Sequence, residues 1–235
     1  MLKPTNRTFS MMTCSLLACL LPSLSAQAQS VNLVGMFQTP NTQTHSETIS
    51  QLEQDANSQD CHLLREGKTL GAQGSYALQP HDSFFVLKCS QALLNQTRAQ
   101  PLIEHLNQNT NNLILLEGKD NQRSGGNLTA NGTQRSYIFK LSNYNNRSPK
   151  QRDVDLMQLT TGSKKPKYHY VTEASIRIDE AYGMERPDKL TIMYYQSADD
   201  GKKFRHNNPD LMKKIGQFNQ DHLTQFSYIS AQSNR

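Results

Sequence analysis

Cysteine is the residue type in this sequence with the clearest capacity for covalent chemistry. Residues 1–28 have the features of an export signal and contain two of the four cysteines, whereas Cys61 and Cys89 each lie beside a predicted strand. Two cysteines in an exported chain most simply form one disulfide. That bond would close a loop across 28 residues of sequence, which is worth about 3 kcal/mol in the chain-entropy description. The sequence therefore predicts a disulfide between Cys61 and Cys89.

Two other chemistries are open to these cysteines. Together with His62 and His81 they could bind a metal ion, but adjacent residues such as Cys61 and His62 rarely reach one tetrahedral ion, and the sequence has no CxxC or HxxxH pair. Cys89 could instead act as a nucleophile with His81 as its base, which requires Cys61 to have no role. We favour the disulfide over both.

Other catalytic signatures are absent from the sequence. It has no GxSxG, SxxK, HExxH or phosphate-loop motif. The acidic pairs Asp179-Glu180 and Asp199-Asp200 fall near predicted turns, where such residues are ordinary. The remaining histidines stand singly: His45, His105, His169, His206 and His222. The sequence therefore predicts no catalytic residue, no metal site and no cofactor.

A basic cluster is the one candidate binding feature. It consists of Lys164, Lys165, Lys167 and Tyr168 around Pro166, within a long polar segment. The cluster could contact anionic headgroups, a glycan acid or an acidic partner. The alternative is a solvated loop in which the proline sets up the following strand, and charge density alone favours that alternative.

The N-terminus has the features of a bacterial export signal. A positively charged start and an apolar stretch precede the small-x-small cleavage pattern Ser25-Ala26-Gln27-Ala28. We therefore expect residues 1–28 to be a signal peptide and the mature chain to lie in the periplasm. The alternative is a lipoprotein anchored through Cys19, which follows Leu-Leu-Ala, although the residues after Cys19 stay apolar where a lipoprotein normally turns polar.

The composition favours a folded domain over a disordered or nucleic-acid-binding chain. The 235 residues carry a formal charge of +5 and include 35% hydrophobic residues and no Trp. This charge is too small for disorder throughout, and the excess of basic residues in the C-terminal half is slight. No segment after the signal is apolar enough to span a bilayer, so we expect no transmembrane segment in the mature chain.

The hydrophobic pattern predicts an α+β fold made of two small lobes. Residues 29–118 form an N-terminal α/β lobe with the disulfide, in which Thr44 and Glu47 are placed to form a capping box for a helix. Residues 119–134 are a polar, glycine-rich linker, and residues 135–235 form the second lobe. No internal repeat is visible in the sequence.

The second lobe is expected to be a three-stranded antiparallel sheet packed by a C-terminal helix. Alternation with a period of two predicts the strands at residues 137–141, 168–178 and 189–196. Asn208-Pro209-Asp210 predicts the start of a helix that reaches Phe226. Its apolar stripe, which includes Phe218, should pack on the strand face that holds Ile176 and Leu190.

These observations favour a non-catalytic periplasmic accessory or assembly protein that binds other envelope components, for example in a secretion system. An envelope protein is the expected partner, and nucleic acid is not. Two alternatives stay open. One is a cell-envelope hydrolase with dispersed acids and histidines, and the other is a glycan- or small-ligand-binding protein that uses tyrosines such as Tyr170 and Tyr194. A cleft with converging histidine and acid side chains would favour the enzyme.

Overall fold

The computed structural model describes residues 30–40, 44–97, 100–120, 134–161 and 170–234. Eight strands form one closed antiparallel barrel, and helices lie on its outside. The strands are β1 (Val31–Gln38), β2 (Cys61–Gly74), β3 (Ser83–Cys89), β4 (Asn111–Asp120), β5 (Ser136–Tyr144), β6 (Val171–Tyr182), β7 (Lys189–Tyr195) and β8 (Leu223–Ser233). The helices are α1 (His45–Asn57), α2 (Gln100–Asn109), α3 (Pro149–Thr161), α4 (Ala198–Asn207) and α5 (Pro209–His222).

The barrel consists of two repeats of one topology. Each repeat runs strand–helix–strand–strand–helix–strand, with α4 as an addition before the last helix of the second repeat. The strand orders are β2-β3-β1-β4 and β6-β7-β5-β8, which is the ferredoxin-like arrangement in both cases. The pairs β2–β8 and β4–β6 join the repeats and close the barrel. Because the repeats share their topology and not their residues, the sequence shows no repeat.

The expectation of two lobes with a three-stranded sheet is wrong. Inward-facing apolar residues from all eight strands form a single core inside the barrel, with Val34, Phe84, Phe139 and Ile192 among its most buried members. Each strand contributes alternate residues to this core. Closure of the sheet leaves no unpaired edge, so strands of the two halves pair with each other instead of forming separate units.

The expected packing of the C-terminal helix is also wrong. Helix α5 begins at Pro209 as predicted, but it ends at His222, and the residues that follow form β8. Ile176 and Leu190 face the interior of the barrel, whereas α5 packs outside it against β8. The apolar residues near Phe226 alternate with a period of two, and this strand signal follows the helix without a break.

The helices of the first repeat cover the outer face of its sheet with a second apolar core. The capping box of α1 is confirmed, since Oγ1 of Thr44 accepts a hydrogen bond from the backbone of Glu47 and the Glu47 carboxylate accepts one from the backbone of Thr44. Cys61 and Cys89 are opposite each other in the β2–β3 register and form a disulfide inside this layer. Within the described part of the chain, no helix is long and apolar enough to span a membrane.

A buried charged network lies inside the barrel near the start of β5. The guanidinium of Arg65 donates to the Tyr137 hydroxyl at 2.9 Å and to a Glu173 carboxylate oxygen at 2.5 Å. Arg135 lies 3.4 Å from the same oxygen and stacks on the ring of Tyr194. Arg65 is 1% exposed and Glu173 is 3% exposed, so this ion pair is screened from water.

Candidate functional site

The two repeats differ in what they place between sheet and helices. In the first repeat, Leu33 pairs with Leu87, which in turn pairs with Leu63, and this row faces α1 and α2. Such a row needs only apolar helix faces to cover it, and those faces are present as Leu52 and Leu106. The row continues to Glu117 of β4, whose buried carboxylate accepts hydrogen bonds from the backbone N–H groups of Leu93 and Leu94. The layer is therefore an apolar core with one buried acid, and backbone donors satisfy that acid.

The corresponding layer of the second repeat is polar. Lys140 of β5 pairs with Tyr228 of β8 on one side and with Thr191 of β7 on the other, and Thr191 pairs with Ser175 of β6. Lys189 lies on the same outer face, one row away. We call these five residues (Ser175, Lys189, Thr191, Lys140 and Tyr228) the lysine face. Among the described residues, this layer contains no apolar cluster comparable to that of the first repeat.

Helix α5 holds Lys140 of this face in a defined position. The ammonium of Lys140 donates to Oδ1 of Asn219 at 2.7 Å, and the Asn219 amide nitrogen donates to the Tyr228 hydroxyl at 2.9 Å. The same ammonium lies 5.6 Å from the ring centre of Phe218 and 5.4 Å from that of Tyr228, within the range of cation–π attraction. Two aromatic rings and one amide thus surround the cation.

These surroundings lower the pKa of Lys140 to about 8, because burial penalises the ammonium and the nearby Lys189 repels it. No carboxylate among the described residues forms an ion pair with Lys140. Burial and the charge of Arg152 also lower the pKa of Lys189, although Asp120 acts in the opposite direction. The lysine face therefore carries two amines that give up a proton more easily than ordinary lysines.

Helix α3 approaches this face without packing an apolar surface onto it. None of residues 149–159 is buried. The helix contacts α5, where the Asp155 carboxylate lies 2.7 Å from Nε2 of His222. Arg152 stacks on the ring of Tyr144, 4.2 Å from its centre. Polar and cation–π contacts therefore position α3, in contrast to the apolar contacts that fix α1.

An amine with a pKa near 8 supports three kinds of chemistry. In its charged form it binds an anion, and in its neutral form it accepts a proton or attacks a carbonyl carbon. The Asn219 amide supports the charged form by accepting a hydrogen bond, while Tyr228 supplies a hydroxyl whose pKa burial raises, so that the phenol stays neutral. No group of three or more His, Cys, Asp or Glu side chains among the described residues could hold a metal ion.

The residues that the sequence singles out do not build this site. The disulfide Cys61–Cys89 lies in the apolar layer of the first repeat. The basic cluster of Lys164, Lys165, Lys167 and Tyr168 lies outside the described residues, as does the predicted signal peptide. Of the single histidines, His222 lies at the end of α5 and joins that helix to Asp155 of α3.

Sequence reasoning missed the residues at the centre of the lysine face. Alternate residues of β5 are apolar, namely Tyr137, Phe139 and Leu141, and Lys140 lies on the opposite face of the strand. This pattern is typical of a lysine that faces solvent. The available signal was a lysine in the middle of a strand, flanked by apolar residues on both sides. Only the cover provided by α5 distinguishes it from a surface residue.

Comparisons with known proteins reveal a shared fold. No protein-family model matches this chain, and no curated protein sequence matches it. Among solved structures, an anthrone oxidase-like protein superposes with a TM-score of 0.54 and 10% identity, over 88% of this chain and 92% of that one. A monooxygenase-like protein from Fusobacterium nucleatum gives a TM-score of 0.50 and 12% identity, over 88% and 94%. A mutant chlorite dismutase from Candidatus Nitrospira defluvii gives 0.56 and 12%, over 88% and 92%.

These similarities agree with the two ferredoxin-like repeats and the single barrel, in the manner of the dimeric α+β barrel fold. They overturn the expectation of a non-catalytic accessory or assembly protein, including one that serves a secretion system, because the structures that share the fold bear the names of enzymes or enzyme-like proteins. At 10–12% identity the likeness concerns the fold, so the reaction must be inferred from the residues of this chain.

Proposed function

We propose that the protein is an enzyme that oxidises a small organic substrate with an acidic proton, and that the lysine face is its active site. The observation that carries this proposal is the position of the Lys140 ammonium, which donates to Oδ1 of Asn219 beside the rings of Phe218 and Tyr228 and forms no ion pair with a carboxylate of the described residues. Burial there lowers the pKa of Lys140 to about 8, which leaves part of the amine neutral just above pH 7. The names of the similar structures, an oxidase-like and a monooxygenase-like protein, favour dioxygen as the oxidant.

The two lysines of the face and Asn219 of α5 have defined parts in such a reaction. The neutral Nζ of Lys140 removes the acidic proton of the substrate, and Asn219 keeps that nitrogen in place. The ammonium of Lys189 faces the negative charge that then develops on the substrate. A deprotonated phenol, enol or anthrone is electron-rich and transfers electrons to dioxygen more readily than its protonated form.

Anthrone is a suitable probe because it has an acidic carbon–hydrogen bond. One anthrone and one O₂ give one anthraquinone and one water. Lys140 takes the two protons of the CH₂ carbon one after the other and returns each to the reduced oxygen, while one oxygen atom becomes the new carbonyl and the other leaves as water. We expect the protein to accelerate oxygen consumption above the rate in buffer, by an amount that rises with pH through about 8. An oxygen electrode measures the consumption of O₂, and absorbance measures the formation of anthraquinone.

The Lys140→Met variant should lose the acceleration, since it removes the proton acceptor and keeps the length of the side chain. Lys213→Met is the matched control, because Lys213 is exposed on the same helix that carries Asn219. If wild type and the Lys140→Met variant oxidise anthrone at the rate of buffer alone, the proposed reaction is wrong for this probe.

Chlorite decomposition is a second candidate, favoured by the two amine side chains of the lysine face, which attract an anion when they are protonated. The similar structure named a chlorite dismutase suggests the substrate. Loss of chlorite in the presence of wild type but not of the Lys140→Met variant would support this reaction at the same site and would replace the oxidation of organic substrates.

A further inference from the structure

A cleft opens at the end of the barrel where β4 begins and β6 ends. Its volume is about 420 Å³, and its walls come from the segment between β2 and β3, the start of β4, the turn between β6 and β7, and β8. The size falls within the range of small-molecule sites. This barrel-mouth cleft continues from the interior of the barrel, whereas the lysine face lies on the outside of the sheet, so the two sites are separate.

Two buried polar atoms in the walls of the cleft have no hydrogen-bond partner. They are the hydroxyl of Tyr76 and the side-chain oxygen Oε1 of Gln225, and both belong to residues that line the cleft. The backbone of Tyr76 is fixed there, because its N–H donates a hydrogen bond to Oγ of Ser227. Buried polar atoms in folded proteins nearly always have partners, so two such atoms in the walls of one cleft indicate that the cleft binds a polar group from outside the chain.

The lining of the cleft contains one acidic side chain and no lysine or arginine. Glu185 lines it, and the carboxylates of Glu185 and Asp188 act with burial to raise the pKa of the Tyr76 hydroxyl, which stays protonated. His81, the remaining titratable group of the lining, lies with Nε2 at 2.9 Å from the carbonyl oxygen of Asn112. Burial lowers the pKa of His81 and favours the neutral ring. Glu185 therefore provides the only charge in the lining at neutral pH.

The remainder of the cleft is apolar. Leu78, Ile114 and Met184 line it, and all three belong to or pack against the core of the barrel. A ligand that fits must therefore combine a hydrogen-bond donor, to meet Oε1 of Gln225, with an apolar body and with a charge opposite to that of Glu185.

We propose that the barrel-mouth cleft binds a small organic amine in its protonated form. The ammonium donates hydrogen bonds to Oε1 of Gln225 and to the hydroxyl oxygen of Tyr76, and it faces the carboxylate of Glu185. The apolar body of the amine lies against Leu78 and Met184. This site is independent of the lysine face and of the reaction proposed there.

Isothermal titration calorimetry at pH 7 with 2-phenylethylamine tests the proposal. The neutral isostere 2-phenylethanol has the same apolar body and a hydroxyl in place of the ammonium, and we expect it to bind at least ten-fold more weakly. Equal affinity of the two compounds, or no heat with the amine, would overturn the proposal. Glu185→Gln should weaken binding of the amine several-fold, while Glu104→Gln, which removes an exposed acid on α2, should not change it.

Two further variants separate a ligand site from a site that holds only water. Tyr76→Phe and Gln225→Leu remove the unpaired atoms, so each should bind the amine about ten-fold more weakly and yet raise the melting temperature of the ligand-free protein. Gln232→Leu, an exposed position on the same strand as Gln225, is the control. If Tyr76→Phe and Gln225→Leu lower the melting temperature and leave the affinity unchanged, the two atoms bind water in the native protein and the proposal is wrong.

Discussion

The ammonium of Lys140 donates a 2.7 Å hydrogen bond to Oδ1 of Asn219, which joins the middle of the second repeat's sheet to helix α5. A neutral amide is a weak counterpart for a cation, and no carboxylate of the described residues forms an ion pair with Lys140. The cost of burying the ammonium is therefore only partly offset. This geometry links the candidate chemistry of the site to the stability of the fold.

The first prediction is that Lys140 makes the free energy of unfolding depend on pH. Its pKa is about 8 in the folded state and about 10.4 in an unfolded chain. Between these values the unfolded state binds more protons, so the free energy of unfolding rises with pH. Below pH 8 the buried ammonium of Lys140 lowers the free energy of unfolding by its full amount. Relative to wild type, Lys140→Met should therefore gain about 2–3 kcal/mol on going from pH 10.5 to pH 7.

Urea denaturation at pH 7 and pH 10.5 measures this difference. Lys213→Met serves as the control, because an exposed lysine has nearly the same pKa in the folded and unfolded states. A difference between Lys140→Met and wild type that is the same at both pH values would show that the ammonium of Lys140 is solvated, and it would remove the main support for the proposed active site.

Local patterns in the sequence predict most of the elements of this fold but not their assembly. The capping box at Thr44 and the proline at Pro209 give correct helix starts, because a cap depends only on neighbouring residues. Alternation likewise locates strands such as β7 (Lys189–Tyr195). The closed barrel depends on pairing between distant strands, such as β2 with β8, and no local pattern encodes that pairing.

Three elements were missed for identifiable reasons. Helix α3 buries none of residues 149–159, so it lacks the apolar stripe by which a helix is recognised. Helix α4 starts with Asp199 and Asp200, which resemble turn residues, although Ser197 caps the helix. Strand β8 follows α5 directly, without a glycine or proline to separate them. The lysine face was missed with them, because Tyr228 of β8 belongs to it and because helix α5 was expected to pack on the opposite face of the sheet.

The second prediction concerns the buried ion pair between Arg65 and Glu173. Glu173→Gln removes the charge that offsets the guanidinium inside the barrel, and loss of one member of a buried pair typically costs about 3–5 kcal/mol. Asp179→Asn, in the exposed pair with Arg177, should cost less than about 1 kcal/mol. Chemical denaturation of both variants gives the comparison. Equal, small losses would mean that water reaches Arg65 and that the ion pair is not buried.

The last prediction uses two glycines to test the seam that closes the barrel. A Cβ atom on Gly118 would lie 1.9 Å from the carbonyl oxygen of Arg177, at the point where the register of β4 and β6 shifts. Two main chains cannot separate there without breaking the pairing of the repeats, so Gly118→Ala should destabilise the protein by at least about 1–3 kcal/mol. Gly216 in α5 has no atom within 4 Å of its added Cβ, and Gly216→Ala should stabilise by about 0.5–1 kcal/mol.

Both substitutions change the unfolded chain in the same way, so the difference between their unfolding free energies reports on the folded state alone. Urea denaturation curves of the two variants and of wild type provide it. A Gly118→Ala variant as stable as Gly216→Ala would show that β4 and β6 do not approach as closely as the closed barrel requires.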